Sequence, residues 1–478
     1  MKKINLEPNI NYIWSSLMIE ELVRNGIDMF FISPGSRSSS LSIAVANNPK
    51  AKSFVHLDER GNAFRALGAC CASKKPCVVI TTSGTATANL FPAIIEASKK
   101  KVPLIILTAD RPPELRLTGA HQTIDQNKVY GGYVRWYFDM PCPTQEIPPE
   151  FVLTTIDQAV SQSLGNPPGP VHLNCMYREP LDPKQTQKSF SSYTKSLASW
   201  QKSGEVYTKY ILTKTEFPKT DINGVVSSIQ KVTFGIIIVG KLSTDGERKS
   251  VLKLSEKLNW PIFPDISSGL RLGNTHPNVI SYYDQILLSD KFIQKYKPDG
   301  ILHIGGRITS KRWYQCIEKL KPKHYIMVLK HALRNDPLHN VALRVQSDAK
   351  SFCGEMCKNI SQKQNNPFLY FLQKSNSCVH AALQRQLDYS PELTEAQTAR
   401  LITQHIPMRN NLFVSNSMPI RELDMYGDPH RSPVVLGANR GASGIDGIIA
   451  SAIGYTLGSN RPTTLLIGDL AFLHDLNS

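Results

Sequence analysis

A chain of 478 residues exceeds one ordinary domain and predicts about two to three compact units. Its 41% hydrophobic and 20% charged residues exclude a disordered polymer. The formal charge of +16 is dispersed, with Lys99–Lys101 as the longest basic run, so we expect no nucleic-acid partner, but clefts that favour polyanionic small molecules.

Nine cysteines, including the adjacent Cys70 and Cys71, do not form a secreted framework in a chain this long. Cys353 and Cys357 lack the second pair a zinc set requires. Reduced thiols in a cytoplasmic protein are expected. The opening "MKKINLEPNINYIW" has no apolar signal core, and runs such as "FGIIIVG" (Phe234–Gly240) are too short to span a bilayer. No membrane insertion is expected.

In chain order, "MFFISPG" (Met29–Gly35), "PCVVITTSG" (Pro76–Gly84), "VPLIILTAD" (Val102–Asp110) and "GPVHLNC" (Gly169–Cys175) read as buried strands. Each ends on small or polar residues and most lead into helical patterns. This is an α/β arrangement of parallel sheets flanked by helices, with ligands at the strands' carboxyl ends. A polar stretch from about Leu181 to Pro218 suits a linker. "FGIIIVGK", "WPIFPD", "GILHIGGR" and "HYIMVLK" supply a second α/β unit, whose glycine turns match no complete nucleotide-binding loop. After the polar "KNISQKQNNP" (Lys358–Pro367), a third unit offers "NLFVSNS", "PVVLGANRGASGIDG" (Pro433–Gly447) and "TTLLIGD" (Thr463–Asp469). The predicted domains are therefore 1–185, 219–365 and 366–478, with 186–218 as linker.

Chemistry concentrates in a few loops. "SPGSRSS" (Ser33–Ser39) sets backbone N–H groups and a guanidinium beside a sheet edge, suited to a carboxylate or phosphate. "TSGTATAN" (Thr82–Asn89) is a small-residue turn opening a helix. Either alone is more often a structural helix start. With "DERG", "ADRPPEL", "NSMPIRELD" and "NRGASGIDG", in order along nearly the whole chain, the pattern resembles the thiamine-diphosphate enzymes. Within them it is similar to the menaquinone-pathway synthase family that makes 2-succinyl-5-enolpyruvyl-6-hydroxy-3-cyclohexene-1-carboxylate. The likeness is weaker through the middle unit.

The resemblance implies a three-domain architecture, thiamine diphosphate held with Mg2+ (Mn2+ as a substitute), and active sites between the subunits of a homodimer or tetramer. It implies that 2-oxoglutarate is decarboxylated and added to isochorismate. Glu59 matches the glutamate that hydrogen-bonds the aminopyrimidine, a role for which burial in apolar surroundings is expected. Ser36, Gly84, Thr85, Asn89, Gly444 and Ile445 match cofactor contacts, Ile445 as the apolar prop under its bent form. Arg37, Arg111, Gln122, Lys311, Ser417, Arg421 and Arg440 match substrate contacts, with Arg312 beside them; both substrates are polycarboxylates, which arginine forks suit. His121 stands where the family usually shows Asn. Other readings are a different thiamine-diphosphate 2-oxoacid decarboxylase or synthase, and a catalytically impaired subunit of the same fold.

Asp469 matches the family's first metal ligand and a diphosphate-site residue. The family pattern continues through a helix, a strand and an Asn-rich turn bearing a second ligand. Only Leu470–Ser478 follow here. The expectation is a fragment or disrupted gene product that holds Mg2+ poorly and shows little turnover as it stands.

Overall fold

The computed structural model describes residues 4–187, 189–213, 215–364, 366–389, 391–430 and 434–478. Outside it fall Met1–Lys3 of the opening stretch, Lys188 and Lys214 of the expected linker, Asn365 of the polar stretch, and Pro433 at the start of "PVVLGANRG". The chain divides into two units, Met1–Leu212 with Ala438–Ser478, and Thr213–Gly437.

The first unit is built on six strands: β1 (Met29–Ile32), β2 (Lys52–Val55), β3 (Cys77–Thr81), β4 (Leu104–Asp110), β5 (Trp136–Met140) and β6 (Pro170–Met176). Their order is β2-β1-β3-β4-β6-β5, and every pairing is parallel. Parallel strands need long crossovers, which place helices on both faces and bury the central strands completely. β3, β4 and β6 are accordingly buried at every position. Helices Ile10–Arg24 and Glu150–Leu164 lay Trp14, Leu17, Val152 and Ile156 into one core with Val78, Ile105 and Val171. Each such side chain withdrawn from water contributes about 1.5–3 kcal/mol.

Two helices of this unit approach unusually closely. Helix Glu59–Ser73 is started by Asp58, whose carboxylate accepts the N–H groups of Arg60 and Gly61. Against it lies helix Ile448–Ser459, whose Gly454 and Gly458 face backbone: a Cβ at Gly454 would stand 1.8 Å from the Arg65 carbonyl oxygen, and one at Gly458 2.2 Å from that of Ala69. From the other side a Cβ at Gly68 would meet the Ser451 carbonyl oxygen at 2.0 Å. Glycine is required here by proximity, not by turn geometry.

A second clasp holds the segment after residue 200. The buried carboxyls of Glu21 and Asp157 accept the backbone N–H of Tyr207 (2.5 Å) and Thr208 (2.6 Å) respectively, while Trp200 Nε1 donates to Glu21 at 2.7 Å. Burial pushes Glu21 up to about 8, with the neighbouring Asp157 adding to the rise.

The second unit carries β7 (Gly235–Val239), β8 (Ile262–Pro264), β9 (Gly300–Ile304), β10 (His324–Leu329) and β11 (Leu343–Gln346) in the order β11-β10-β9-β7-β8. Its pairings are again parallel. Helix Pro367–Leu383 contributes Phe368 and Leu372 to the core beneath β7 and β9. β12 (Asn411–Val414) and β13 (Val435–Gly437) pair in parallel beyond it. β14 (Thr463–Leu466) lies in the C-terminal part of the first unit. No described helix is long and apolar enough to cross a membrane.

Candidate active site

In the first unit the matched loops sit at the carboxyl ends of β1, β3 and β4, where a parallel sheet leaves backbone groups for ligands. Glu59 is the first residue of its helix, and its Oε2 accepts the Asn89 amide at 3.1 Å. Two residues expected to share the cofactor are thus in contact. The apolar burial expected of Glu59 is not seen in the single chain: the side chain is half-buried, at the helix start, while Gly61 and Asn62 of the same turn face inward. Asp58 itself is pushed up by burial, but the N–H of Gly61, the Asn477 amide and Arg60 outweigh this and hold it below the usual carboxylate range.

Gly84 precedes helix Thr85–Asn89 with φ 85°, a left-handed conformation that favours glycine. A Cβ there would also press on Gln122 at 3.1 Å. Gln122 is exposed and tied to Ser83 in both directions: its Nε2 donates to the Ser83 carbonyl, and Ser83 Oγ donates to the Gln122 carbonyl, each at 3.1 Å. His121 is exposed beside it. Ser36 and Thr85 are exposed at their helix starts.

Arg37 is buried. It donates to the Tyr177 carbonyl at 2.9 Å and pairs with Glu179 at 3.2 Å, while its Nε has no partner. Arg111 is half-buried, with an orphaned Nε and a backbone N–H on Asp110 Oδ1 at 2.7 Å.

A polar network missed in the sequence holds these loops. Gln126, 1% exposed, accepts the Gly84 N–H at 2.9 Å and donates to the Ala109 carbonyl (3.2 Å) and Asn174 Oδ1 (2.8 Å). Asn174 donates onward to Asp110 and Asp139, both also gripped by Arg116. Burial pushes Asp110 up, against the lowering effect of Asn174 and Arg116. His172 on β6, meeting Thr108 at 2.7 Å, is driven down to about 3 by burial and stays neutral. Nothing in "QTIDQN" distinguishes Gln126 from a surface glutamine; its partners lie up to 48 positions away.

The "NRGASG" loop is held by Glu96, whose carboxylate accepts the N–H of Gly441 (2.6 Å), Ala442 (2.6 Å) and Ser443 (3.2 Å). Arg440 is half-buried, and Gly444 is exposed beside Ile445, itself 40% exposed. Such exposure argues against core packing as Ile445's role. Asp469 is exposed at the start of helix Asp469–His474, with Oδ1 accepting the Leu470 N–H at 2.8 Å.

These groups fit the implied cofactor and metal. The set offers a carboxylate for a ring nitrogen, a helix start with φ-positive glycine for close backbone approach, an exposed apolar side chain, and a hard carboxylate oxygen of the kind Mg2+ takes.

In the second unit, a cavity of about 300 Å3 is lined by Lys311, Arg312, Arg421, Asp284, Asp424 and neighbours. Three cations from two distant sequence motifs therefore meet at one opening. Ser310 Oγ caps helix Lys311–Leu320 through the Trp313 N–H at 3.1 Å, and Asp284 binds both Ser310 Oγ and Arg312 NH1. Lys311 and Arg421 are exposed. Ser417, with φ 67°, precedes helix Met418–Tyr426 that carries Arg421. Burial pushes the Asp424 carboxyl well up, helped by Asp265 and opposed by Arg271. Three cations against the two acids Asp284 and Asp424 leave the cavity net positive even with both acids ionised, suited to a carboxylate ligand.

Comparison with known proteins gives a consistent result. Residues 14–129 match the family described as thiamine pyrophosphate enzyme, N-terminal TPP binding domain, and residues 191–414 match the middle domain of thiamine pyrophosphate enzymes. The 2-succinyl-5-enolpyruvyl-6-hydroxy-3-cyclohexene-1-carboxylate synthase of Salinibacter ruber is 40% identical over 98% of this chain and 80% of its own length. Its namesake in Rubrobacter xylanophilus is 40% identical over 98% and 81%. An enzyme of Mycobacterium smegmatis described as thiamin diphosphate-dependent shares the fold, with a TM-score of 0.69 at 15% identity over 97% of this chain and 84% of that one. By its relatives, the chain belongs to the 2-succinyl-5-enolpyruvyl-6-hydroxy-3-cyclohexene-1-carboxylate synthase family.

Proposed function

We propose that this protein is a thiamine-diphosphate-dependent transferase of menaquinone biosynthesis. It decarboxylates 2-oxoglutarate and joins the remaining four-carbon unit to isochorismate. The observation that carries this reading is the 40% identity to synthases of that name over 98% of the chain.

When bound, thiamine diphosphate supplies the nucleophilic carbon and the electron sink for loss of carbon dioxide. Glu59 would hydrogen-bond the pyrimidine ring and hold its proton, with the Asn89 amide orienting the carboxyl through Oε2. Ser36, Gly84, Thr85, Gly444 and Ile445 complete the grip on the cofactor, and Asp469 contributes one oxygen to Mg2+ or Mn2+. Lys311, Arg312 and Arg421 bind substrate carboxylates at the second unit's cavity, which the convergence of their charges supports. Ser417, Arg37, Arg111, Gln122 and Arg440 position the rest of the two substrates. Orphaned Nε atoms on Arg37 and Arg111 support ligand roles for both.

The domains are assigned as 1–185, 219–365 and 366–478 with linker 186–218. At least a homodimer is proposed, supported by the exposed Leu470, Phe472, Leu473 and Leu476 beside Asp469. A cytoplasmic location is supported by nine cysteines that are all free thiols.

The test supplies the purified protein with thiamine diphosphate, Mg2+, carboxyl-labelled 2-oxoglutarate and isochorismate. Slow release of labelled carbon dioxide with formation of the adduct is expected, in keeping with Asp469 as the one matched metal ligand, and Glu59→Gln should abolish both while cofactor binding persists. Cofactor binding without either product would favour the impaired-subunit reading, and absence of cofactor binding would refute the proposal.

A further inference from the structure

Among the described residues, one set of three side chains is arranged as metal ligands: His380, Asp428 and His430, with donor atoms all within 4.8 Å of one another. None of them takes part in the function proposed above. His380 lies near the end of helix Pro367–Leu383, while Asp428 and His430 follow helix Met418–Tyr426. The two imidazoles meet edge to face, centroids 4.5 Å apart and rings at 74°.

Two of the three donors, His380 and Asp428, are held by supporting partners, as ligands in metal sites are. His380 Nδ1 lies 3.2 Å from Tyr282 Oη, which already accepts from Arg400 NH1 at 3.1 Å. In the tautomer that donates from Nδ1 to this oxygen, Nε2 keeps its lone pair for a metal, and binding of an ion there would select that tautomer. Asp428 Oδ1 accepts the His430 N–H at 2.9 Å, and Oδ2 accepts Gln404 Nε2 at 3.0 Å. Its own backbone N–H is fixed on Thr403 Oγ1 at 2.8 Å.

Charge balance permits a cation. Arg400 approaches Asp428 at 3.5 Å but also bridges to Asp388, with NH2 on its Oδ2 at 3.1 Å. Two carboxylates share one guanidinium, so one negative charge remains. Tetrahedral ligands at 2.0–2.1 Å from zinc stand about 3.4 Å apart. The donors lie within 4.8 Å of one another, so closing on an ion requires only a small side-chain rotation, for which the exposed His430 has room. Its solvent side leaves a position for water.

We propose that His380, Asp428 and His430 bind a late first-row divalent cation, Zn2+ above all, which ties helix Pro367–Leu383 to the turn that follows the Arg421 helix. Imidazole donors select such ions over Mg2+, which prefers oxygen ligands and water.

The test titrates chelator-treated protein with ZnCl2 by calorimetry in a Cys378→Ser background, since that exposed thiol is a competing ligand. One saturating equivalent is expected, undisturbed by excess Mg2+, and Co2+ in its place should give visible absorption of a four-coordinate site. His430→Ala and His380→Ala should each weaken binding at least tenfold, and Tyr282→Phe should weaken it about 10-fold, the lower range for a lost supporting partner. The surface substitution His430→Ala should leave the unfolding midpoint of the metal-free protein unchanged, so its effect reports ligation rather than folding. No saturable binding, or binding that survives in the His380→Ala/His430→Ala protein, would overturn the proposal.

Discussion

The close crossing of helices Glu59–Ser73 and Ile448–Ser459 makes a sharp prediction about Gly454→Ala. On an exposed helix this change is stabilising by up to about 1 kcal/mol, because alanine has the higher helix propensity and restricts the unfolded chain. Here the added methyl would stand 1.8 Å from the Arg65 carbonyl oxygen, more than 1.5 Å short of the ~3.5 Å contact distance. The blocking atom is backbone and cannot rotate away, so the helices must part. Overpacking of this kind costs about 1–3 kcal/mol, which reverses the sign. Gly354, inside helix Ala349–Asn359, has no atom within 4 Å of its virtual Cβ and provides the internal control. Urea unfolding should therefore show Gly454→Ala destabilised and Gly354→Ala unchanged or stabilised by up to about 1 kcal/mol. Because the wedge also shifts the helix that begins at Glu59, thiamine diphosphate should bind more weakly to Gly454→Ala. A Gly454→Ala protein as stable as Gly354→Ala would refute the close-packing argument.

Further outcomes follow from other contacts. Glu21, pushed up to about 8 by burial, contributes stability that is whole below the ordinary carboxylate range, erodes as pH rises and is gone above about pH 8; the melting temperature of Glu21→Gln should fall less than that of the wild type between pH 5.5 and 8.5. Asp284→Asn removes the carboxylate shared by Ser310 and Arg312 and should cost about 1.5–3 kcal/mol in chemical denaturation, with Arg312 no longer fixed at the cavity. Arg421→Ala and Lys311→Ala should each weaken 2-oxoglutarate binding about 10- to 100-fold by calorimetry, the equivalent of one charged hydrogen bond. Gln126→Leu should free the Gly84 N–H and raise the dissociation constant for thiamine diphosphate, whereas Gln126→Glu, which keeps an acceptor for that N–H, should retain part of the affinity.

The central strands were legible because burial on both faces leaves an uninterrupted apolar run, as in "CVVIT" and "LIILTAD". The edge strands β2, β5 and β11 were not. "KSFV" is mostly exposed and "LRVQ" half-exposed, so neither shows a buried run nor a clean alternation. Loop motifs singled out Glu59, Gly84 and Arg421 by residue type, whereas the Asp58 cap that starts helix Glu59–Ser73 emerged only in the structure. What the motifs could not convey was pairing across the chain. Asp284 acquires its role only when folding brings it to Arg312, 28 positions away, and Glu96 reaches Gly441 across 345 positions. Glu59's half-exposed setting was likewise invisible, since a side chain's surroundings depend on which elements cover it.

The grip of Glu96 on the Gly441–Ser443 backbone bears on how a ligand meets that loop. Three consecutive amide hydrogens are already committed to one internal anion, so free phosphate finds no vacant cradle there and should compete poorly. The same anchoring means the loop acquires its shape during folding. A molecule settling against Ile445 then loses little loop entropy on arrival, and its association should proceed in one kinetic phase rather than wait for a slow rearrangement.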